Sequence, residues 1–168
     1  MFTHIRSLHP ADIITCDAIN RSLPDWFGIE EGLAEARTYL ESQSGLVAES
    51  NGEVIGYLTW HQLFPHSAEI SWMAVRQTHH REGIGRELIV ALEQRLVSDG
   101  VRLLSVKTLA DLHPSPEYAQ TRAFYTSVGF LSQMVLPDLW DPANPCLIMV
   151  KPLSNDMASG GDHKGHLY

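Results

Sequence analysis

The sequence has little of several features that would place it in a specialised class of protein. Its only two cysteines, Cys16 and Cys146, lie far apart and form no CxxC motif, which excludes a zinc ribbon and a thioredoxin-type site. No apolar run approaches the roughly 18 residues of a membrane span, and the first residues lack the apolar core of a secretory signal. We therefore expect a cytoplasmic protein with reduced thiols, no metal and no membrane partner.

Basic residues are also scarce. Twelve Lys and Arg stand against twenty Asp and Glu, for a net charge of −8, and a nucleic-acid partner is not expected because phosphate binding needs a basic surface. The 44% apolar and 19% charged residues are ordinary for a globular protein. A length of 168 residues suggests one domain. We place it at residues 1–153, followed by a small, polar and disordered tail at 154–168.

The hydrophobic pattern predicts the element order β-α-α-β-β-β-α-β-α-β-β. The predicted helices are residues 12–23, 30–43, 83–98 and 118–128. The predicted strands are residues 3–8, 46–49, 54–63, 69–75, 103–109, 130–136 and 146–151. Residues 137–145 are predicted to form a loop. The segment 69–109 should be a right-handed parallel β-α-β crossover within an otherwise antiparallel sheet.

A glycine pair marks the start of the clearest helix. Gly83 and Gly85 follow a strand directly, where unpaired helix N–H groups can bind a phosphate. Leu88 occupies the third glycine position of a dinucleotide-binding fingerprint, and no P-loop is present. On this pattern alone, a phosphate site and a simple tight turn are equally consistent with the sequence.

Two longer segments resemble the GNAT superfamily of acetyl-CoA-dependent N-acyltransferases. The strand AEISWMAV at 68–75, followed by HREGIGREL at 80–88, is similar to its [QR]xxGx[GA] signature. TRAFYTSVGF at 121–130 resembles its second motif, a helix with a tyrosine and a Gly-Phe turn. The resemblance spans roughly residues 3–153. Two positions depart from the pattern, with His80 in place of Gln or Arg and Tyr118 in place of a frequent asparagine.

The resemblance implies a fold and a co-substrate. The fold would be a mixed, mostly antiparallel sheet of six to seven strands, with helices on both faces. Acetyl-CoA would bind mainly through backbone amides, its pantetheine arm near Met73, Ala74 and Val75. The pyrophosphate would bind at His80, Arg81, Glu82, Gly83, Ile84, Gly85 and Arg86. Arg81 or Arg86 could add charge there, or belong to a solvated helix face.

The resemblance also suggests two catalytic residues. Tyr125 would be the general acid for the leaving thiolate, the alternative being a core aromatic beside Phe124. Glu69 would be the base that takes the proton of the amine. Alternatively, Glu69 is a carboxylate at a strand edge with no catalytic role, and a water relay takes the proton. Transfer would be direct, in a ternary complex, to a small-molecule or peptide/protein amine.

The acceptor site is predicted from two segments. Asp138, Trp140 and Asp141 could hold an ammonium by charge and cation–π contact, with Trp26 and Phe27 closing the other side. The alternative is an ordinary hairpin loop with solvated carboxylates. Other functions consistent with the sequence are transfer of a different acyl group, a non-catalytic acyl-CoA-binding module and a plain interaction domain. Many members of the superfamily dimerise, but no segment here identifies an interface.

Overall fold

A computed structural model describes residues 2–154. Apart from Ser154, the predicted tail lies outside the described residues. The strands are Thr3–Ser7 (β1), Ser44–Ser50 (β2), Glu53–Phe64 (β3), Ser67–Val75 (β4), Leu103–Leu109 (β5), Leu131–Asp141 (β6) and Asn144–Pro152 (β7). The helices are Ile13–Arg21 (α1), Glu30–Ser42 (α2), Ile84–Ser98 (α3) and Pro116–Ser127 (α4). None of the helices within residues 2–154 is long and apolar enough to cross a membrane.

The seven strands form one sheet in the order β1-β2-β3-β4-β5-β7-β6. Strands β4 and β5 are parallel and joined through α3, whereas every other neighbouring pair is antiparallel. The predicted order of elements and the central parallel crossover are therefore confirmed. The parallel pair lies in the middle of the sheet, with antiparallel strands on both sides.

Helices cover both faces of the sheet, as predicted. Successive residues of β3 point to opposite faces, so Tyr57 packs with Cys16 of α1 while Leu58 packs on the other face with Leu88 of α3. Tyr57, Leu58 and Leu88 are fully buried. The sheet thus separates two hydrophobic cores, one on each face. Burying an apolar side chain such as Leu58 contributes about 1.5–3 kcal/mol of transfer free energy.

The prediction of a loop at residues 137–145 is wrong. Strand β6 continues through Pro137 to Asp141, and a short turn leads directly into β7. Proline usually ends a strand because it lacks an N–H donor, but an edge strand tolerates it where that position faces solvent. Strand β6 is such an edge. The Asp141 carboxylate accepts hydrogen bonds from the backbone N–H groups of Ala143 and Asn144, which closes the hairpin.

Candidate functional site

The parallel strands separate halfway along their length. Strand β4 pairs with β5 only from Ser67 with Leu103 to Ile70 with Val106, yet β4 continues to Val75 and β5 to Leu109. A cavity of about 640 Å³ lies at this opening, lined by the diverging strand ends, by the start of α3 and by α4. Backbone groups of residues 71–75 on the β5 side are thereby available to a ligand.

A bulge in β4 sets the direction of the side chains at this opening. The pairing of β4 with β3 passes from Ile70 to Trp72 and skips Ser71. Trp72 consequently packs against the α1/α2 core, and Met73 packs against the core on the other face. Because the alternation changes at the bulge, the cavity draws lining residues from both faces. The pattern of apolar and polar residues in the sequence does not indicate this change in side-chain direction.

The start of α3 borders the cavity. Gly83 precedes the helix with φ +83°, a left-handed conformation that glycine adopts without strain. The imidazole of His80 lies 2.7 Å from the Val75 carbonyl through Nε2. Since a carbonyl only accepts, Nε2 carries the hydrogen. His80 therefore joins the end of β4 to the segment that leads into α3.

Most of the predicted cofactor-binding residues come together here. The cavity is lined by Met73, Ala74, Val75, His80, Arg81, Gly83, Ile84, Gly85 and Arg86. Glu82 is not among the lining residues. Arg86 donates to the Ser127 carbonyl across the opening, at 3.2 Å, so it connects α3 to the end of α4. Gly85 faces Phe124 of α4 so closely that an added Cβ would lie 2.9 Å from the ring.

Tyr125 also lines the cavity. Its side chain is 5% exposed, and its ring packs between Phe124 and Phe130, with 5.3 Å between ring centroids on each side. Burial raises the pKa of the Tyr125 phenol above its ordinary value of about 10. The phenol is therefore protonated at neutral pH, so it can donate a hydrogen bond but cannot act as a resting base.

Glu69 lies behind the cavity wall rather than in it. The carboxylate is 13% exposed and accepts hydrogen bonds from Lys107 Nζ at 2.7 and 2.8 Å. Lys107 itself lines the cavity. Lys107 was not among the predicted site residues, although it is the one charged residue of β5. Its meeting with Glu69 depends on the parallel register, which pairs Glu69 with Ser105 and leaves Lys107 on the same face.

The predicted acceptor residues separate into two groups. Trp26, Phe27 and Trp140 line the cavity, whereas Asp138 and Asp141 are not among its lining residues. The side-chain hydrogen bond from Asn144, together with the turn N–H groups, lowers the pKa of Asp141. Asp141 is thus engaged in closing the hairpin.

Tyr118 positions Trp26. The Tyr118 hydroxyl donates to the Trp26 carbonyl at 2.7 Å, and the Trp26 indole N–H donates to the Glu117 carbonyl at 3.3 Å. The Trp26 ring also meets His80 edge-on, with 5.5 Å between centroids. The segment between α1 and α2 is thereby attached to the start of α4. The sequence analysis registered Tyr118 only as a missing asparagine.

A second pair of polar side chains, also missed, lies beside this wall. His61 Nδ1 is 2.9 Å from the Ser71 hydroxyl, and Ser71 lines the cavity. No group of three or more His, Cys, Asp or Glu side chains within residues 2–154 is arranged to hold a metal ion. Besides His80, Arg81 and Arg86 at the start of α3, the polar groups at or beside the cavity include Tyr125, the Glu69–Lys107 pair and the His61–Ser71 pair.

Solved structures share this architecture. A protein assigned to the GNAT acetyltransferases from Desulfovibrio desulfuricans matches with a TM-score of 0.81 at 19% identity, over 91% of this chain and 100% of that one. The ribosomal-protein-S18-alanine N-acetyltransferase of Escherichia coli matches with a TM-score of 0.72 at 21% identity, over 99% of each chain. The protein yncA of Salmonella typhimurium, solved with its cofactor acetyl-CoA, matches with a TM-score of 0.66 at 22% identity, over 91% and 95%. At these identities the likeness concerns the fold.

No curated protein matches the sequence significantly. The model of the acetyltransferase (GNAT) family matches residues 15–130. This match covers more than half of the chain, and it includes the β4–α3 segment and the motif around Tyr125 that form the cavity. The chain belongs to the GNAT family of acetyltransferases.

Proposed function

We propose that this protein transfers the acetyl group of acetyl-CoA to a primary amine, by direct attack within a ternary complex. The observation that carries the proposal is the opening between β4 and β5, which the start of α3 borders and into which Tyr125 faces. Two structural neighbours support it. One is named for acetylating an alanine amine, and another holds acetyl-CoA.

The chain offers groups suited to each part of acetyl-CoA, whose thioester supplies the activated acyl group. The first N–H groups of α3 have no partner within the helix, and its dipole favours a pyrophosphate there. Arg81 and Arg86 add positive charge beside it. Backbone groups of residues 73–75 would hold the pantetheine arm, and a backbone N–H there would stabilise the carbonyl oxygen as it gains negative charge.

Protons must move at two places. The Tyr125 hydroxyl, protonated because of its burial, would donate to the departing sulfur. The attacking amine must be neutral, and Glu69 is our proposed base. Because Lys107 lies between Glu69 and the cavity, that proton would reach the carboxylate through water. The amine nitrogen loses its proton, the new C–N bond forms, and the C–S bond breaks.

The test is release of free thiol from acetyl-CoA at mildly alkaline pH with a panel of primary amines. Tyr125→Phe should lower kcat more than about tenfold while leaving the Kd for acetyl-CoA little changed. Phe64→Ala is the control, since Phe64 is 64% exposed and does not line the cavity. Unchanged turnover in Tyr125→Phe would remove Tyr125 from the mechanism.

The same assay tests Glu69. Glu69→Gln keeps the size of the side chain and removes its basicity, so turnover should fall, most clearly near neutral pH where more of the amine is protonated. A full rate with an unaltered pH profile would place the base elsewhere. Binding of acetyl-CoA without turnover of any amine would indicate a non-catalytic acyl-CoA-binding module.

A further inference from the structure

Four of the aromatic side chains that line the cavity are together called the aromatic wall. They are Trp26, Phe27, Trp72 and Trp140. The Trp72 indole N–H donates to the buried Asn20 side chain at 3.1 Å, and the Phe27 and Trp72 rings lie 4.7 Å apart. Since the Trp26 indole N–H is also bonded to the protein, two of these rings have their polar edges occupied. The faces of these rings are therefore available to a ligand, and the rings are already held in position before a ligand binds.

The charges around the cavity all have one sign. Within the part of the chain that the structure describes, no Asp or Glu lines the cavity, whereas Lys107, Arg81 and Arg86 do. A protonated amine would find no carboxylate partner on this wall. Because no carboxylate among residues 2–154 lines the cavity to stabilise an ammonium group, the lining does not favour a polycationic acceptor.

Lys107 has a hydrogen-bond donor to spare. An ammonium carries three N–H donors, and Glu69 accepts at two oxygens, 2.7 and 2.8 Å from Nζ. Glu69 fixes the position of the ammonium from behind, and Lys107 faces the cavity. A carboxylate on the ligand is the group best suited to the remaining N–H, because a charge-assisted hydrogen bond is stronger than a neutral one.

We propose that the acceptor is a small primary amine with an apolar or aromatic body and a carboxylate, which is the chemistry of an apolar α-amino acid. The body would pack on the aromatic wall, and the carboxylate would bind Lys107. This inference rests on the proposed function and assigns its substrate class. It replaces the ammonium site predicted at Asp138 and Asp141, which do not line the cavity.

The experiment compares L-phenylalanine, 2-phenylethylamine and spermidine in two assays. The first two differ in the carboxylate, and spermidine represents cationic amines, which can also stack on indole rings. Binding to the protein with CoA present is followed by tryptophan fluorescence, since three of the four aromatic-wall residues are tryptophans. Thiol release is measured separately. We expect phenylalanine to bind at least about tenfold more tightly than 2-phenylethylamine, and spermidine more weakly than both.

Two variants separate the parts of the proposed site. Lys107→Met should reduce the preference for phenylalanine over 2-phenylethylamine by about tenfold. Trp140→Ala, at a residue that is 48% exposed, should weaken binding of both amines several-fold without loss of folding. Phe64→Ala is the matched control, because Phe64 is 64% exposed and lies outside the cavity. It should leave both affinities unchanged.

The outcomes distinguish this inference from the proposed function. Spermidine binding as tightly as phenylalanine, or an unaltered preference in Lys107→Met, would overturn the substrate class. If phenylalanine binds with the expected preference but releases no thiol, the substrate class stands and the proposed acetyl transfer fails. If spermidine is acetylated in preference to phenylalanine, the transfer stands and the substrate class fails.

Discussion

Gly85 allows a test of how tightly the cavity is packed where α3 meets α4. It is the second residue of α3, and a Cβ at this position would lie 2.9 Å from Cζ and 3.0 Å from Cε2 of Phe124. Carbon atoms pack at about 3.5–4.0 Å, so Gly85→Ala requires the Phe124 ring to move by roughly 0.5–1 Å. The ring packs against Tyr125 and lines the cavity, so the open space available to it is the cavity itself.

The expected magnitude follows from a matched pair of helical glycines. Gly32, in α2, has no atom closer to an added Cβ than Trp72, at 3.8 Å. Gly32→Ala should therefore stabilise the protein by about 0.5–1 kcal/mol through helix propensity. Gly85→Ala also gains helix propensity, but overpacking against Phe124 should destabilise it by about 1–3 kcal/mol. The two variants should differ in the free energy of unfolding by about 1–3 kcal/mol.

Urea denaturation and calorimetric titration with acetyl-CoA measure the two effects separately. Gly85→Ala should bind acetyl-CoA about tenfold more weakly, a loss of about 1.4 kcal/mol, because the displaced ring narrows the opening. Gly32→Ala should keep the affinity of the unaltered protein. If Gly85→Ala is as stable as Gly32→Ala and binds acetyl-CoA equally well, the Phe124 ring does not set the width of the cavity and the reasoning fails.

Two further predictions concern titratable groups that do not line the cavity. The Arg6 guanidinium, hydrogen-bonded to both Asp12 oxygens, lowers the pKa of Asp12. The contribution of the ionised Asp12 to the free energy of unfolding is therefore complete above the pKa of Asp12 in the unfolded chain, about 3.9. This contribution is lost as the pH falls through the lower pKa of Asp12 in the folded protein. Asp12→Asn should be less stable than the unaltered protein at pH 7, and this gap should shrink below about pH 4 in urea denaturation; a constant gap would contradict it. Burial raises the pKa of Cys16 to about 12 and also raises that of Cys146, so an aromatic disulfide reagent at pH 8 should label both thiols in denaturant and neither in the native protein. Rapid labelling of the native protein would refute their burial.

The order of elements could be predicted from the sequence because each helix and most strands carry their own hydrophobic period. Helix α3 is an example, since Leu88 and Leu92 recur at helical spacing and are both fully buried. The motif around Gly83 also pointed to the segment that borders the cavity at the start of α3. The hairpin between β6 and β7 could not, because Pro137 is a local signal against a strand, and only its position on the sheet edge makes it acceptable.

The wall formed by β4, β5 and their neighbours was less predictable because it depends on contacts between distant segments. Glu69 and Lys107 meet only when β4 and β5 pair in the observed register. The bulge at Ser71 sets the direction of Trp72, and no glycine in the sequence indicates a bulge there. Asp138 and Asp141, the carboxylates favoured by the sequence, lie on β6 and are not among the residues that line the cavity.

The two departures from the family's motifs prove to be related. His80 stands in the first signature position, and its ring donates to the Val75 carbonyl at the end of β4. Tyr118 stands in place of the frequent asparagine, and its hydroxyl donates to the Trp26 carbonyl. Both side chains contact Trp26, one through its ring and the other through its backbone. The positions where this chain differs from its family thus act together on a residue of the aromatic wall, which is where members that share a cofactor would differ in their acceptors.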